Sequence, residues 1–161
     1  MRGKRSQSSM ESMLMTGSGT IDAERAFAQA SRARRRAALA RLLRREPAVC
    51  ARLEVYDERA LSRAVPGAWR GIREIPVGAI CGTLEPSRAA LFDRGFRPTR
   101  AARCRWQSVW LAEHRGTVLP PISVVRVGDA YAVRDGHHRV SVARARGALT
   151  IDATVDGIAA A

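Results

Sequence analysis

Tyr131-Ala132-Val133-Arg134-Asp135-Gly136-His137-His138-Arg139-Val140-Ser141-Val142-Ala143-Arg144 is the stretch from which the fold is read. Its first four residues have strand character, Asp135-Gly136 interrupts the run, and Val140 to Arg146 reads as a short helix closed by Gly147. A strand that turns through glycine into a helix aims the unbonded amides of the helix N-terminus at one place in space. Gly136 lets the backbone approach an anion, Arg139 offers a fork of donors to phosphate oxygens, and His137 and His138 add donors or metal-ligating nitrogens. Asp135 alone repels a phosphate. It reads either as a carboxylate meeting a divalent metal ion held between the two, or as a helix cap. The same residues also suit a plain turn with a satisfied core histidine and a surface arginine, so two readings stand at this point. A nucleophile cannot be assembled here, because no cysteine adjoins the cluster and Ser141 has no assignable base.

Working outward, Leu119-Pro120-Pro121 leads into a strand over Ile122 to Val127, and Gly128-Asp129 forms a hairpin-like turn. Thr150 to Val155 is a last strand. Ile72 to Ile80 is β-branched and interrupted by Pro76, as at a sheet edge. Arg88 to Asp93 and Arg100 to Arg115 read as helical, the second carrying Trp106, Val109 and Trp110, and the two tryptophans read as core rather than as a base-stacking platform. Nearer the N-terminus, Thr20 or Asp22 caps a helix limited by Pro47. Ala23, Ala26, Ala30, Ala33, Ala37 and Ala40 form its stripe, widened by Phe27, Leu39 and Leu43. A second helix is expected from Pro47 to Ala64, before a Pro66-Gly67 turn. The first twenty residues are Ser-, Met- and Gly-rich and are expected to be disordered. The organisation is thus a leader over 1–20, a basic helical arm over 21–66 and an α+β domain over 67–158. The arm is expected to be dispensable for folding of residues 72–155.

Within 161 residues, 28 Lys and Arg face 15 Asp and Glu, giving a net charge of +13 and a pI near 11.5. Such a balance suits polyanionic partners, nucleic acid or nucleotide phosphates. Only Lys4 is a lysine, and Ala and Arg dominate together, so genomic base composition is an alternative source of the excess. The residues up to Pro47 carry a net +7. Arg32, Arg34, Arg35, Arg36, Arg41, Arg44 and Arg45 are concentrated there. They read as a solvated helix face, as groups that bind the DNA phosphate backbone without sequence specificity, or as a contact surface for an acidic partner. No apolar run approaches the roughly 20 residues of a membrane span, and Met1 to Thr20 lacks the apolar stretch of a secretory signal. Cys50, Cys81 and Cys104 are too widely spaced for a zinc site or disulfide framework. A cytoplasmic, reducing setting is the expectation.

The run from Leu119 to Arg144 resembles the ParB/sulfiredoxin-like superfamily in its order of Pro-Pro-Ile, strand, Gly-x-x-Arg and helix. Ile72 to Ile80 looks like that superfamily's opening strand and Thr150 to Val155 like its closing one, so the resemblance covers about residues 72–155. It implies a small mixed sheet and a loop, Gly136 to Arg139, that cradles nucleotide phosphates, those of CTP in ParB proteins and of ATP in sulfiredoxins. The expected ligand here is CTP, ATP or ADP, with magnesium for which Asp135 is the candidate ligand. Sulfiredoxins have a catalytic cysteine where this chain has His137, so sulfinic acid reduction is not expected. Six residues follow Val155, so the helix-turn-helix reader of ParB partition proteins is not expected here. The reading is a nucleotide-binding, DNA-associated accessory or regulatory protein. The rival readings are a phosphotransferase acting on a small hydroxylated metabolite, like ParB-type free serine kinases, and a binding module with a vestigial loop. A kinase needs a carboxylate base, for which Glu74 and Glu85 are the candidates.

Overall fold

A computed structural model describes residues 5–62 and 70–156. A long helix α1 (Arg5–Leu43) is followed by a 3-10 turn, strand β1 (Glu54–Val55) and helix α2 (Glu58–Ser62). Strands β2 (Arg70–Pro76) and β3 (Ile80–Thr83) come next, then helices α3 (Pro86–Ala89) and α4 (Arg103–His114). The chain closes with β4 (Ile122–Val127), β5 (Ala130–Asp135), α5 (His137–Ala145) and β6 (Thr150–Asp156). The fold is α+β, with one mixed six-stranded sheet in the order β1-β3-β5-β4-β6-β2.

The pairing explains why the strands read as they do. β4 is central, antiparallel to β5 and parallel to β6, and Ile122, Val124 and Val125 are all fully buried. Val124 belongs to the larger core cluster with Ile75, Ile80, Phe92, Phe96 and Val140, whereas Val125 packs with Leu84 and Ala132. Consecutive apolar residues therefore serve both faces of the sheet. β2 lies at the edge, antiparallel to β6, where Pro76 ends the strand with no central ladder to interrupt.

Several sequence expectations are corrected. The helix expected from Arg88 to Asp93 is the shorter α3, ending at Ala89, and Phe92 pairs instead with Pro98. The segment from Pro47 to Ala64 is not one helix but a 3-10 turn, a strand and a short helix. Its Glu54-Val55 pairs in parallel with Gly82-Thr83, and Gly82 makes this possible: a Cβ there would lie 2.6 Å from the Glu54 carbonyl oxygen. Ile80, read as the end of one strand, instead opens β3 after a 3-10 turn at Val77–Ala79. Residues 5–20, expected to be disordered, belong to α1. They contain no proline, and extending a formed helix fixes one residue per bond without the cost of a new nucleus. The Pro66-Gly67 turn, and the boundary drawn from it, lie outside the described residues, as do Lys4 and the end of the chain after Asp156.

The arm is also part of the body. Ala23, Phe27 and Ala30 are buried, and Phe27 meets the Trp106 ring edge-on at 5.5 Å between centroids. Trp106 is fully buried and donates to Ser141 Oγ at 2.9 Å, linking α1, α4 and α5 in a second core cluster. This packing argues against an arm dispensable for folding. Further along α1 the apolar stripe leaves the body: Leu39, Leu42 and Leu43 are exposed, where Leu39 and Leu43 were expected to pack. No helix among the described residues is long and apolar enough to cross a membrane.

Candidate functional site: an arginine-walled cleft at the start of α5

β5 delivers Asp135 and Gly136 to the start of α5, and the first helical amide bond runs from Val140 to the Gly136 carbonyl. The amides of His137, His138 and Arg139 precede that ladder, so they are the orphan donors of the first turn. Gly136 adopts a φ of 100°, in the left-handed region. A Cβ on it would lie 2.5 Å from Ile122 Cγ2. The glycine is thus required by the turn and by the strand behind it, where the sequence suggested an approaching anion.

The first turn faces a cleft of about 360 Å³. Its walls include Arg88 from α3, Arg105 from α4, and Asp135 to Arg139. Arg88 and Arg105 are exposed, and neither side chain has an ion-pair or hydrogen-bond partner among the described residues. Two free guanidinium forks therefore converge on a helix N-terminus, an arrangement that favours an oxyanion.

Arg139, expected as the phosphate fork, is placed in the cleft wall but is largely occupied. It donates to Asp135 Oδ2 at 2.8 Å and to the Pro120 carbonyl, and its side chain is only 13% exposed. It braces the loop against the Pro120-Pro121 segment. Asp135 answers this arginine. Its carboxylate is 79% exposed, and no group of three or more metal-ligating side chains occurs among the described residues. A single carboxylate already committed to an arginine does not fit a resident magnesium ion.

The two histidines differ. His137 is buried, its Nε2 lies 2.6 Å from Thr83 Oγ1, and its ring stacks on Phe92 at 6.4 Å. Thr83 Oγ1 also accepts the Glu85 amide at 2.8 Å, so His137 ties α5 to the β3–α3 connection. His138 is half-buried and meets the same Phe92 ring edge-on at 5.2 Å. Burial, then the Arg88 charge, lowers the pKa of His137 to about 4. His138 is lowered to about 4 as well, by burial, then Arg88 and Arg105. Both rings are therefore neutral near pH 7, and the positive field of the cleft comes from its arginines.

The candidate carboxylate bases are placed elsewhere. Glu74 lies on β2 at the sheet edge, separated from β5 by β6 and β4, and accepts a hydrogen bond from Thr150 Oγ1. Glu85 stands at the N-terminal boundary of α3 without a side-chain capping bond, is exposed, and is tied to Thr83 through its backbone. Neither lines the cleft. Of the arginines of α1, Arg32, Arg35 and Arg36 are exposed and Arg34 and Arg41 half-buried, while Arg44 and Arg45 are exposed in the turn that follows the helix. At about 100° per residue, Arg32, Arg35 and Arg36 share one arc of the helix, and Arg34 and Arg41 lie on the other side. Arg44 pairs with Glu46 at 3.7 Å.

Arg88 and Arg105 are the site residues that sequence reading missed. They are separated by one short helix and an irregular loop, and only the packing of Phe92 and Phe96 into the core brings them to the same opening.

No protein-family model matches the sequence, and none of the curated proteins matches it. Among solved structures the chain is similar to sulfiredoxin from Arabidopsis thaliana, at 20% identity and a TM-score of 0.39, over 54% of this chain and 85% of that chain.

Proposed function

We propose that the chain is a nucleotide-binding protein whose cleft takes the phosphate groups of a nucleoside di- or triphosphate, and that α1 gives it non-specific affinity for DNA. The observation that carries the reading is the pair of unpaired guanidiniums, Arg88 and Arg105, facing the first-turn amides of α5. A guanidinium fork matches a phosphate in shape and charge, and helix amides add donors that carry no counter-charge. The loop from Gly136 to Arg139 then acts as a rigid platform, with Arg139 and Asp135 holding its shape and His138 offering a neutral ring to the opening. Magnesium, where it takes part, arrives on the phosphates.

Binding is favoured over phosphoryl transfer. Transfer needs a base or water-orienting group near the terminal phosphate, and the one carboxylate in the cleft lining is the paired Asp135. The accessory role on DNA rests on the exposed arginines of α1, which supply counterion release without base readout.

Thermal unfolding of the full chain with ATP, ADP, CTP and GTP, each with and without magnesium, tests the reading. A ligand present at 100 times its Kd stabilises by about 2.7 kcal/mol, so at least one nucleotide raises the melting temperature by several degrees. No shift with any of them at millimolar concentration sinks the proposal and leaves the vestigial loop.

A further inference from the structure

A second cavity, of about 350 Å³, lies where α1 meets α4, α5 and the loop over 95–98. It shares no lining residue with the cleft at the start of α5. Three guanidiniums line it: Arg36 from α1, Arg97 from the loop and Arg144 from α5. They are compensated unequally. Arg97 pairs with Asp93 at 3.3 Å, and that buried carboxylate also accepts the Gly95 and Arg97 amides at 2.9 Å. Arg36 has no partner among the described residues. Arg144 donates through Nη2 to the carbonyls of Val77 and Ile80, at 3.1 and 2.6 Å, and packs over Phe96 at 5.1 Å. Its Nε is buried without an acceptor, and no carboxylate pairs with it among the described residues. Burial, then the neighbouring Arg97 charge, lowers the pKa of Arg144. Three cations thus face one carboxylate, and for the half-buried Arg144 an uncompensated charge is costly.

The remaining walls choose the ligand. Phe96, Pro98, Trp110 and the small side chains Ala26, Ala30 and Ala33 give the cavity an apolar lining, and its volume suits a small molecule. We propose that this cavity binds a small dianionic metabolite, its oxyanion held by Arg36 and Arg144 and its carbon skeleton lying against Trp110 and the small side chains of α1. Phosphate monoesters and dicarboxylates share this chemistry. Because Arg36 comes from α1 and Arg144 from α5, the ligand joins the arm to the body. The site is independent of nucleotide binding at the other cleft.

Calorimetry on the full chain, with glycerol 3-phosphate and with succinate as probes at constant ionic strength, tests the proposal. One probe is expected to bind saturably and the comparison between them identifies the headgroup. Arg36→Ala weakens binding at least tenfold, Ala33→Leu does so by filling the recess, and Arg88→Ala leaves it unchanged. Saturating ATP does not compete. Absence of saturable binding for both probes overturns the proposal, as does wild-type affinity in both Arg36→Ala and Ala33→Leu. A loss that follows Arg88→Ala instead places the probe in the nucleotide cleft and overturns it equally.

Discussion

At the scale of single residues, the loop from Asp135 to Arg139 is held by bonds and packing that decide what each side chain is free to do. Gly136→Ala forces a Cβ against Ile122 on a backbone with φ of 100°. It is expected to lower stability by about 1–3 kcal/mol, the range for strain at a left-handed position, read as a fall in the urea midpoint; an unchanged midpoint contradicts the account of the turn. His137 and His138 set a pH dependence. Folding holds both neutral down to about 4, whereas the unfolded chain takes up protons near the ordinary histidine value of 6.5. The stability they contribute is complete above about pH 6.5 and is lost as pH falls towards 4. The drop in unfolding free energy between pH 7.5 and 5 should therefore be smaller in His138→Gln than in wild type. An equal or larger drop contradicts the depressed value. The sequence made the glycine, the histidines and the arginine legible as one cluster. It could not show that Arg139 is occupied by Asp135 and the Pro120 carbonyl, because Pro120 is brought beside it only by the pairing of β4 with β5.

Among the elements, α1 matters twice, once as a packed helix and once as a charged one. Its first packed turns cover Trp106 and Val109, so Phe27→Ala removes a buried ring from the second core cluster. The expected cost is about 3 kcal/mol, at the low end for phenylalanine truncation in a core. Chemical denaturation followed by tryptophan fluorescence measures it, and wild-type stability would return α1 to the status of an appendage. For DNA, the informative substitutions are those that leave this packing and the second cavity untouched. Replacing Arg32, Arg35, Arg41, Arg44 and Arg45 by Gln should weaken DNA binding and flatten its salt dependence by about 0.9 for each phosphate no longer neutralised. An identical slope removes the arginines from any electrostatic role. The helices and strands with strong periodicity were readable, β4 and β6 closely so. Those that were not share a cause: β1 is two residues long, and its pairing depends on the bare Gly82 of a distant strand rather than on any pattern of its own. In the same way, the alanine stripe of α1 continues past the point where there is a body to pack against, so Leu39 and Leu43 fit the pattern and still remain exposed.

For the whole molecule, the sheet carries α5 on β5 and brings α3 and α4 over its start, so that arginines distant in sequence meet one helix terminus. The charge excess visible in the composition is thereby divided between two recesses and the outer face of α1, which composition alone could not partition. The central claim is that Arg88 and Arg105, rather than Arg139, supply the free forks for phosphate. Isothermal calorimetry with the nucleotide that binds best, on the full chain and on the Arg88→Ala, Arg105→Ala and double variants, tests this most directly. Hydrogen bonds to charged groups contribute about 1.5–3 kcal/mol each. Each single variant should therefore lose tenfold or more in affinity, and the double variant should lose measurable binding while keeping its fold. Wild-type affinity in the double variant would contradict the account.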